Sequence, residues 1–174
     1  MIVLRELELD DLKIINLWRN KKELVDRLVT NFRFINYETD RLWFDSYMKN
    51  RANSIRLAIL KDEVLIGTVN LLKIDPVNQK AELSIQISSE HQGKGIGTKV
   101  IKMVLEHAFF NINLNKIYLT VLIDNQNAIK LYDRCGFSIE GTLKSEIYKN
   151  GKFKDLYIMA ILKSEYIKKT SELQ

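Results

Sequence analysis

One cysteine, one proline and two histidines in 174 residues exclude several kinds of protein at the outset. Cys135 has no partner for an internal disulfide, so packing alone must hold the fold, and a reducing cytoplasm suits it. No signal-peptide pattern opens the chain and no apolar run is long enough to span a bilayer, which argues against secretion and against a membrane helix. His91 and His107 stand far apart, and no group of His, Cys or carboxylates has metal-ligand spacing, so no metal is expected. Charge of one sign is not in great excess either. The 27 Lys and Arg against 22 Asp and Glu give +5, a mild basic balance that suits a small polyanionic ligand. The basic residues are scattered among acids rather than gathered in a stripe with exposed aromatics, so nucleic acid is not an expected partner. Repeats and low-complexity linkers are absent, and the length fits a single domain over 1–174.

What the chain does contain is a regular alternation of elements. Seven stretches read as strands: Ile2 to Glu6, Ile55 to Leu60, Val64 to Ile74, Lys80 to Ser88, Lys116 to Ile123, Phe137 to Tyr148 and Phe153 to Leu162. Asn150-Gly151 between the last two is a hairpin-turn signal, Lys61-Asp62-Glu63 marks another turn, and Gly67 is expected at a bulge. Helical spacing predicts a helix from an Asp10 or Asp11 cap to about Asn20, a second over Tyr37 to Met48, a third over Gly95 to Phe110 and a short fourth over Asn125 to Arg134. Leu24 to Ile35 reads as a helical turn followed by a loop that carries Asn31-Phe32-Arg33-Phe34, and the polar tail after Tyr166 is expected to fray.

Glycine is concentrated where chemistry is expected. Three of the seven glycines fall within Gln92-Gly93-Lys94-Gly95-Ile96-Gly97, between a strand and a helix. Backbone free of Cβ atoms can turn sharply and converge its N–H groups, and the following helix adds unpaired N–H groups and the positive end of its dipole. Such a loop binds a phosphate or pyrophosphate, with Lys94 adding charge. A plain strand-to-helix connection needs one glycine, not three. The P-loop order fails, because Gly97-Thr98-Lys99 inverts the Lys and Thr, and the dinucleotide fingerprint fails because the third glycine comes one residue early.

The pattern that fits is Gln-x-x-Gly-x-Gly, with Gln92, Gly95 and Gly97 in place. With Asn125-Gln126-Asn127-Ala128, Tyr132 and Gly136-Phe137 following one helix and one strand later, the chain resembles the GNAT superfamily of acetyl-CoA-dependent N-acetyltransferases. The resemblance implies an α/β (α+β) fold with a mixed, mostly antiparallel central sheet of about seven strands and helices on both faces. It implies acetyl-CoA as co-substrate and direct transfer to a primary amine in a ternary complex. Two strands, matching Lys80–Ser88 and Lys116–Ile123, start side by side and splay apart in this superfamily. The cofactor's pantetheine arm would then pair with Ile85, Gln86 and Ile87, its pyrophosphate would rest on Gln92, Gly93, Lys94, Gly95, Ile96, Gly97 and Thr98, and Asn127 and Lys130 would reach it from the short helix. A backbone N–H near Ile87 is expected to stabilise the oxyanion. Tyr132 is the candidate general acid for the thiolate and Glu82 the candidate base, directly or through water. The plainer readings are a core aromatic for Tyr132 and a solvated strand face for Glu82.

The acceptor is less constrained. Ala81-Glu82-Leu83, Glu90-His91-Gln92-Gly93-Lys94-Gly95 and Gly136 to Gly141 resemble spermidine and spermine acetyltransferases, which implies a polyamine or related amine. Asn31, Phe32 and Arg33 are the candidate acceptor contacts, and they are basic and aromatic where a polycation favours carboxylates. Leu17-Trp18-Arg19-Asn20 is similar to acetyltransferases of nucleotide-linked amino sugars, so that acceptor, or a protein N-terminal amine, stays open. A cofactor-binding regulatory protein without turnover is the alternative of another class. A homodimer is common in the superfamily.

Overall fold

The computed structural model describes residues 1–171. Seven strands form one sheet: β1 Ile2–Glu6, β2 Ile55–Lys61, β3 Val64–Asp75, β4 Lys80–Ile87, β5 Lys116–Leu122, β6 Ser138–Lys149 and β7 Lys152–Leu162. Their spatial order is β1-β2-β3-β4-β5-β7-β6. Every neighbouring pair is antiparallel except β4 and β5, which run parallel over only three residue pairs, Lys80↔Lys116, Ala81↔Ile117 and Glu82↔Tyr118. The helices are α1 Leu12–Arg19, α2 Lys22–Val25, α3 Tyr37–Lys49, α4 Ile96–Glu106, α5 Gln126–Cys135 and α6 Lys163–Ser171.

Helices cover both faces because both faces of the sheet carry apolar side chains. On one side α4 buries Val100, Ile101, Val104 and Leu105 against Val69, Leu71, Ala81, Leu83, Ile117 and Leu119. A π-helical turn at His107–Asn111 continues α4 and adds Ala108 and Phe109 to this core. On the other side Leu12 and Trp18 of α1, Leu24 of α2 and Phe44 and Tyr47 of α3 pack over Ala58 and Leu65.

Local chemistry explains most boundaries. Asn150 and Gly151 both take positive φ (52° and 80°), as a two-residue hairpin turn between paired Lys149 and Lys152 demands. A bulge lies beside Gly67, where the β2–β3 register shifts after Ile59. Two expectations are corrected. No aspartate side chain caps α1: a 3₁₀ turn, Leu9–Asp11, precedes it, and the buried Asp11 carboxylate instead accepts from Glu8 N–H at 2.8 Å and from both Arg5 terminal nitrogens at 2.7 Å. The chain after Tyr166 stays helical to Ser171 within α6, which Tyr166 anchors with its ring 5.4 Å from Phe109. The rest of the tail, 172–174, lies outside the described residues.

Candidate active site

Hydrogen-bond phase decides which groups of β4 are free. Ser88 N–H donates to the Ile66 carbonyl at 2.8 Å, and the β3–β4 register pairs Gly67 with Ile87. In an antiparallel ladder, directly bonded pairs alternate with unbonded ones. Gln86, Ser84 and Glu82 therefore bond to Thr68, Asn70 and Leu72, while Ile85 and Ile87 turn their N–H and C=O groups toward β5. Pairing with β5 stops at Glu82, so those groups face an open splay. This corrects one expectation. Gln86 does not offer its backbone to a ligand on that edge, and its side chain lies on the opposite face from α4.

The loop after β4 has the required shape. Gly93 and Gly95 both adopt φ of +74°, a left-handed conformation that disfavours any Cβ. Nothing lies within 4 Å of a Cβ built at either, so the space above the loop is open. Gly97 opens the first turn of α4 and serves close packing, since a Cβ there would meet Leu131 of α5 at 3.0 Å. Gln92 bends back to donate Nε2 to the Ile87 carbonyl at 2.7 Å. His91 and Ser88 share a hydrogen bond of 2.9 Å, which shapes the approach to the loop. Lys94 is exposed beside the loop, and Ile96 is buried under it. On the other arm, Asn125 caps α5 by accepting from Ala128 N–H at 3.2 Å, and Asn127 and Lys130 lie exposed on that helix near Leu131. The backbone edge and the left-handed glycines together fit the pantetheine arm and diphosphate of acetyl-CoA.

Two ionisable groups flank the splay. Glu82 sits at its apex, opposite Tyr118, and pairs with Lys73 Nζ at 2.8 Å. Lys73 reaches it from an irregularity in β3 at which Lys73 takes φ of +50°. The Glu82 hydrogen bond raises the Lys73 ammonium above its usual range, and burial, with Glu82 second, raises the Tyr118 phenol. Tyr132 is buried beside Phe137, ring centroids 5.9 Å apart, and burial pushes its phenol up to about 12. Burial likewise raises the Cys135 thiol, which keeps it a neutral packing group.

Beyond the apex the same face carries a polar floor that sequence reading missed: Arg56, Asn70 and Ser84 lie in register across β2, β3 and β4. Arg56 lies 4.8 Å from the Trp43 ring and 5.5 Å from Tyr47, and burial lowers its pKa. Arg56 Nε and Gln86 Nε2 are buried without partners among the described residues. Only the register, not any motif, brings these residues together. The candidate acceptor residues lie between α2 and α3. Asn31 and Arg33 are exposed, and Phe32 meets Phe34 edge-on at 5.0 Å. Arg19 and Asn20 have structural partners: Arg19 pairs with the fully buried Asp40, and Asn20 holds both backbone groups of Ile35 at 2.7 and 3.0 Å.

A splayed parallel pair, a glycine loop at a helix entrance and a buried phenol on the next helix define an acyl-CoA-dependent transferase site. The chain matches the acetyltransferase (GNAT) domain family over residues 2–138 and belongs to it. It is an acetyl-CoA-dependent N-acetyltransferase. Among its relatives is the spermidine N(1)-acetyltransferase of Vibrio cholerae, 35% identical over 172 residues that cover 97% of each chain. The crystal structure of the spermidine N-acetyltransferase from Vibrio cholerae in complex with CoA and spermine superposes with a TM-score of 0.90 at 32% identity, covering 95% of this chain and 98% of that one. A dodecameric structure of the Vibrio cholerae enzyme in an intermediate state matches with a TM-score of 0.84 at 32% identity, over 97% and 98% of the two chains. No helix among the described residues is long and apolar enough to cross a membrane.

Proposed function

We propose that this enzyme acetylates a primary amine of a polyamine of the spermidine and spermine class, by direct transfer in a ternary complex. The observation that carries the reading is the near full-length similarity to an enzyme solved with CoA and spermine. The site agrees with it, because Glu82 offers a carboxylate where the splay begins.

Acetyl-CoA supplies an activated thioester, and the residues do the rest. Ile85 and Ile87 align the pantetheine arm as an added strand, while the loop amides from Gln92 to Thr98 and Lys94 hold the diphosphate. Asn127 and Lys130 reach the same ligand from α5. Ile87 N–H faces the carbonyl oxygen as negative charge grows there. An alkylamine is protonated at neutral pH, so Glu82 removes its proton directly or through water, while Lys73 holds the carboxylate in place at 2.8 Å. Tyr132 donates to the departing sulfur. A phenol near 12 is a weaker acid than a thiol near ~8.5, so its part is a hydrogen bond held through the transition state. Asn31, Phe32 and Arg33 contact the far end of the acceptor.

A panel of polyamines, amino sugars, nucleotide-linked amino sugars and short peptides, assayed for CoA release, tests this. Spermidine and spermine are expected to give the highest kcat/KM. Release only with a nucleotide sugar or a peptide amine would overturn it and favour a second reading, for which exposed Arg33 beside the Phe32–Phe34 pair offers a phosphate contact and a stacking surface. We also infer self-association through edge strand β6 and exposed Tyr148 and Phe153, which pack at 5.2 Å. Light scattering on the purified protein checks it, and a monomer mass would refute it.

A further inference from the structure

The connection between α2 and α3 crosses the open end of the splay and touches both of its arms. On the β5 side Asn125 donates Nδ2 to the Arg27 carbonyl at 3.0 Å. On the β4 side the Arg27 guanidinium donates to Gln92 Oε1 at 3.1 Å, and Gln92 in turn donates to the Ile87 carbonyl. The crossing is fastened by a residue 119 to 124 positions away. Buried Lys149 donates its three N–H groups to the carbonyls of Val25, Leu28 and Thr30 at 2.9, 2.7 and 2.7 Å. Lys22, at the start of the same segment, reaches Asn150 Oδ1 at 2.5 Å.

The chemistry of this relay is directional. A guanidinium can only donate and a carbonyl can only accept. The Gln92 amide satisfies both, and Arg27 dictates which way round it lies. Without Arg27 the exposed Gln92 side chain would be held at one end only, by its bond to the Ile87 carbonyl, and would leave that geometry more often. The cap on the Ile87 carbonyl, which faces the cofactor edge, would be occupied for less of the time, and the exit of the phosphate loop from β4 would loosen.

We propose that Arg27 is a positioning residue for the acetyl-CoA cradle, acting through Gln92 on Ile87, and that the Lys149 latch holds it in place. The α2–α3 connection and the affinity for the cofactor are thereby linked. This rests on the reading of residues 92–98 as the diphosphate seat.

Calorimetric titration with CoA tests it on wild type, Arg27→Met, Arg27→Lys, Gln92→Ala and the double variant R27M/Q92A. Arg27 is exposed, so R27M should keep the wild-type melting temperature. R27M should weaken CoA binding about threefold to tenfold, the range of one charge-assisted hydrogen bond in a partly solvated setting. The KM for acetyl-CoA should rise by the same factor while kcat moves far less. R27K should recover much of the loss, because an ammonium also donates to Oε1. The double variant should bind no worse than Q92A alone. Lys149→Met should shift CoA affinity in the same direction although it does not touch the phosphate loop. Equal CoA affinity for R27M and wild type would overturn the proposal, as would effects of R27M and Q92A that multiply. If wild type itself fails to bind CoA, the diphosphate seat is wrong, and this inference falls with it.

Discussion

Replacing Gly67 with alanine should damage catalysis from a position that touches no substrate. Gly67 lies opposite Ile87 in the β3–β4 register. A Cβ there would sit well inside 3.0 Å of the Gln86 carbonyl oxygen, 3.1 Å from Ile87 Cα and 3.2 Å from Ile59 Cδ1. Two of the three obstacles are backbone, and the third is buried, so no side-chain rotation relieves the clash. The strands must part by roughly 0.5–1 Å, a forced overpacking that costs about 1–3 kcal/mol. The displaced atoms include the N–H and C=O of Ile87, and a misplacement near 1 Å at a reacting centre lowers rate by about a hundredfold. Gly151→Ala, at the β6–β7 turn and outside the cofactor loop, is the control for strain alone. It meets nothing within 4 Å, so its cost is the left-handed φ, about 1–2 kcal/mol. Urea unfolding and kcat/KM for acetyl-CoA measure both variants. If G67A unfolds at the wild-type midpoint with wild-type kcat/KM, the strand register and the role of the Ile87 edge are both wrong.

Other perturbations act at single groups. Glu82→Gln should lower kcat about 10²–10⁴-fold at neutral pH, and the loss should shrink as the assay is raised toward the amine's own pKa. Tyr132→Phe should lower kcat by about tenfold to a hundredfold with little change in CoA affinity. Tyr132 also predicts an alkaline signature. Its phenol ionises near 10 when unfolded and about 12 when folded, so the unfolded state loses protons first. Stability should be undiminished below pH 10, fall between 10 and 12, and lose up to about 2.7 kcal/mol, a slope that Y132F removes in urea titrations against pH. Lys149→Met should destabilise the fold by about 2–4 kcal/mol, because three carbonyls lose their donor together, and hydrogen exchange should quicken across residues 25–30.

Much of the scaffold could be read from residues alone, for physical reasons. Strands such as Ile117-Leu119-Val121 alternate with period two, and Asn150-Gly151 allows only one kind of turn. The glycine loop was legible because positive φ at Gly93 and Gly95 leaves a compositional trace. The missing parts depend on contacts distant in sequence. α6 is polar along its length and persists because one aromatic, Tyr166, is buried against Phe109, which no local pattern announces. The polar floor of Arg56, Asn70 and Ser84 exists only through register. Lys149 reads as one more surface lysine beside a turn, yet it is buried and latches a segment about 120 residues earlier. The resemblance marks Ile85 to Ile87 as one stretch of cofactor edge; which of its peptides face outward depends on the bonding phase with β3, and alternation of side chains does not report that.

Only three residue pairs join β4 to β5, so the seven strands amount to two smaller sheets meeting at a narrow seam. A ligand lodged in that gap acts as mortar between two leaves. With CoA bound, amide protons at Ile85, Ile87 and along the upper half of β5 should exchange together and slowly. In its absence the two leaves are joined there by the packing of α4 beneath them and by the α2–α3 connection, next to Glu82, the residue we propose takes the proton. If Glu82 is the base, filling the seam with the donor would also steady the carboxylate that receives the proton.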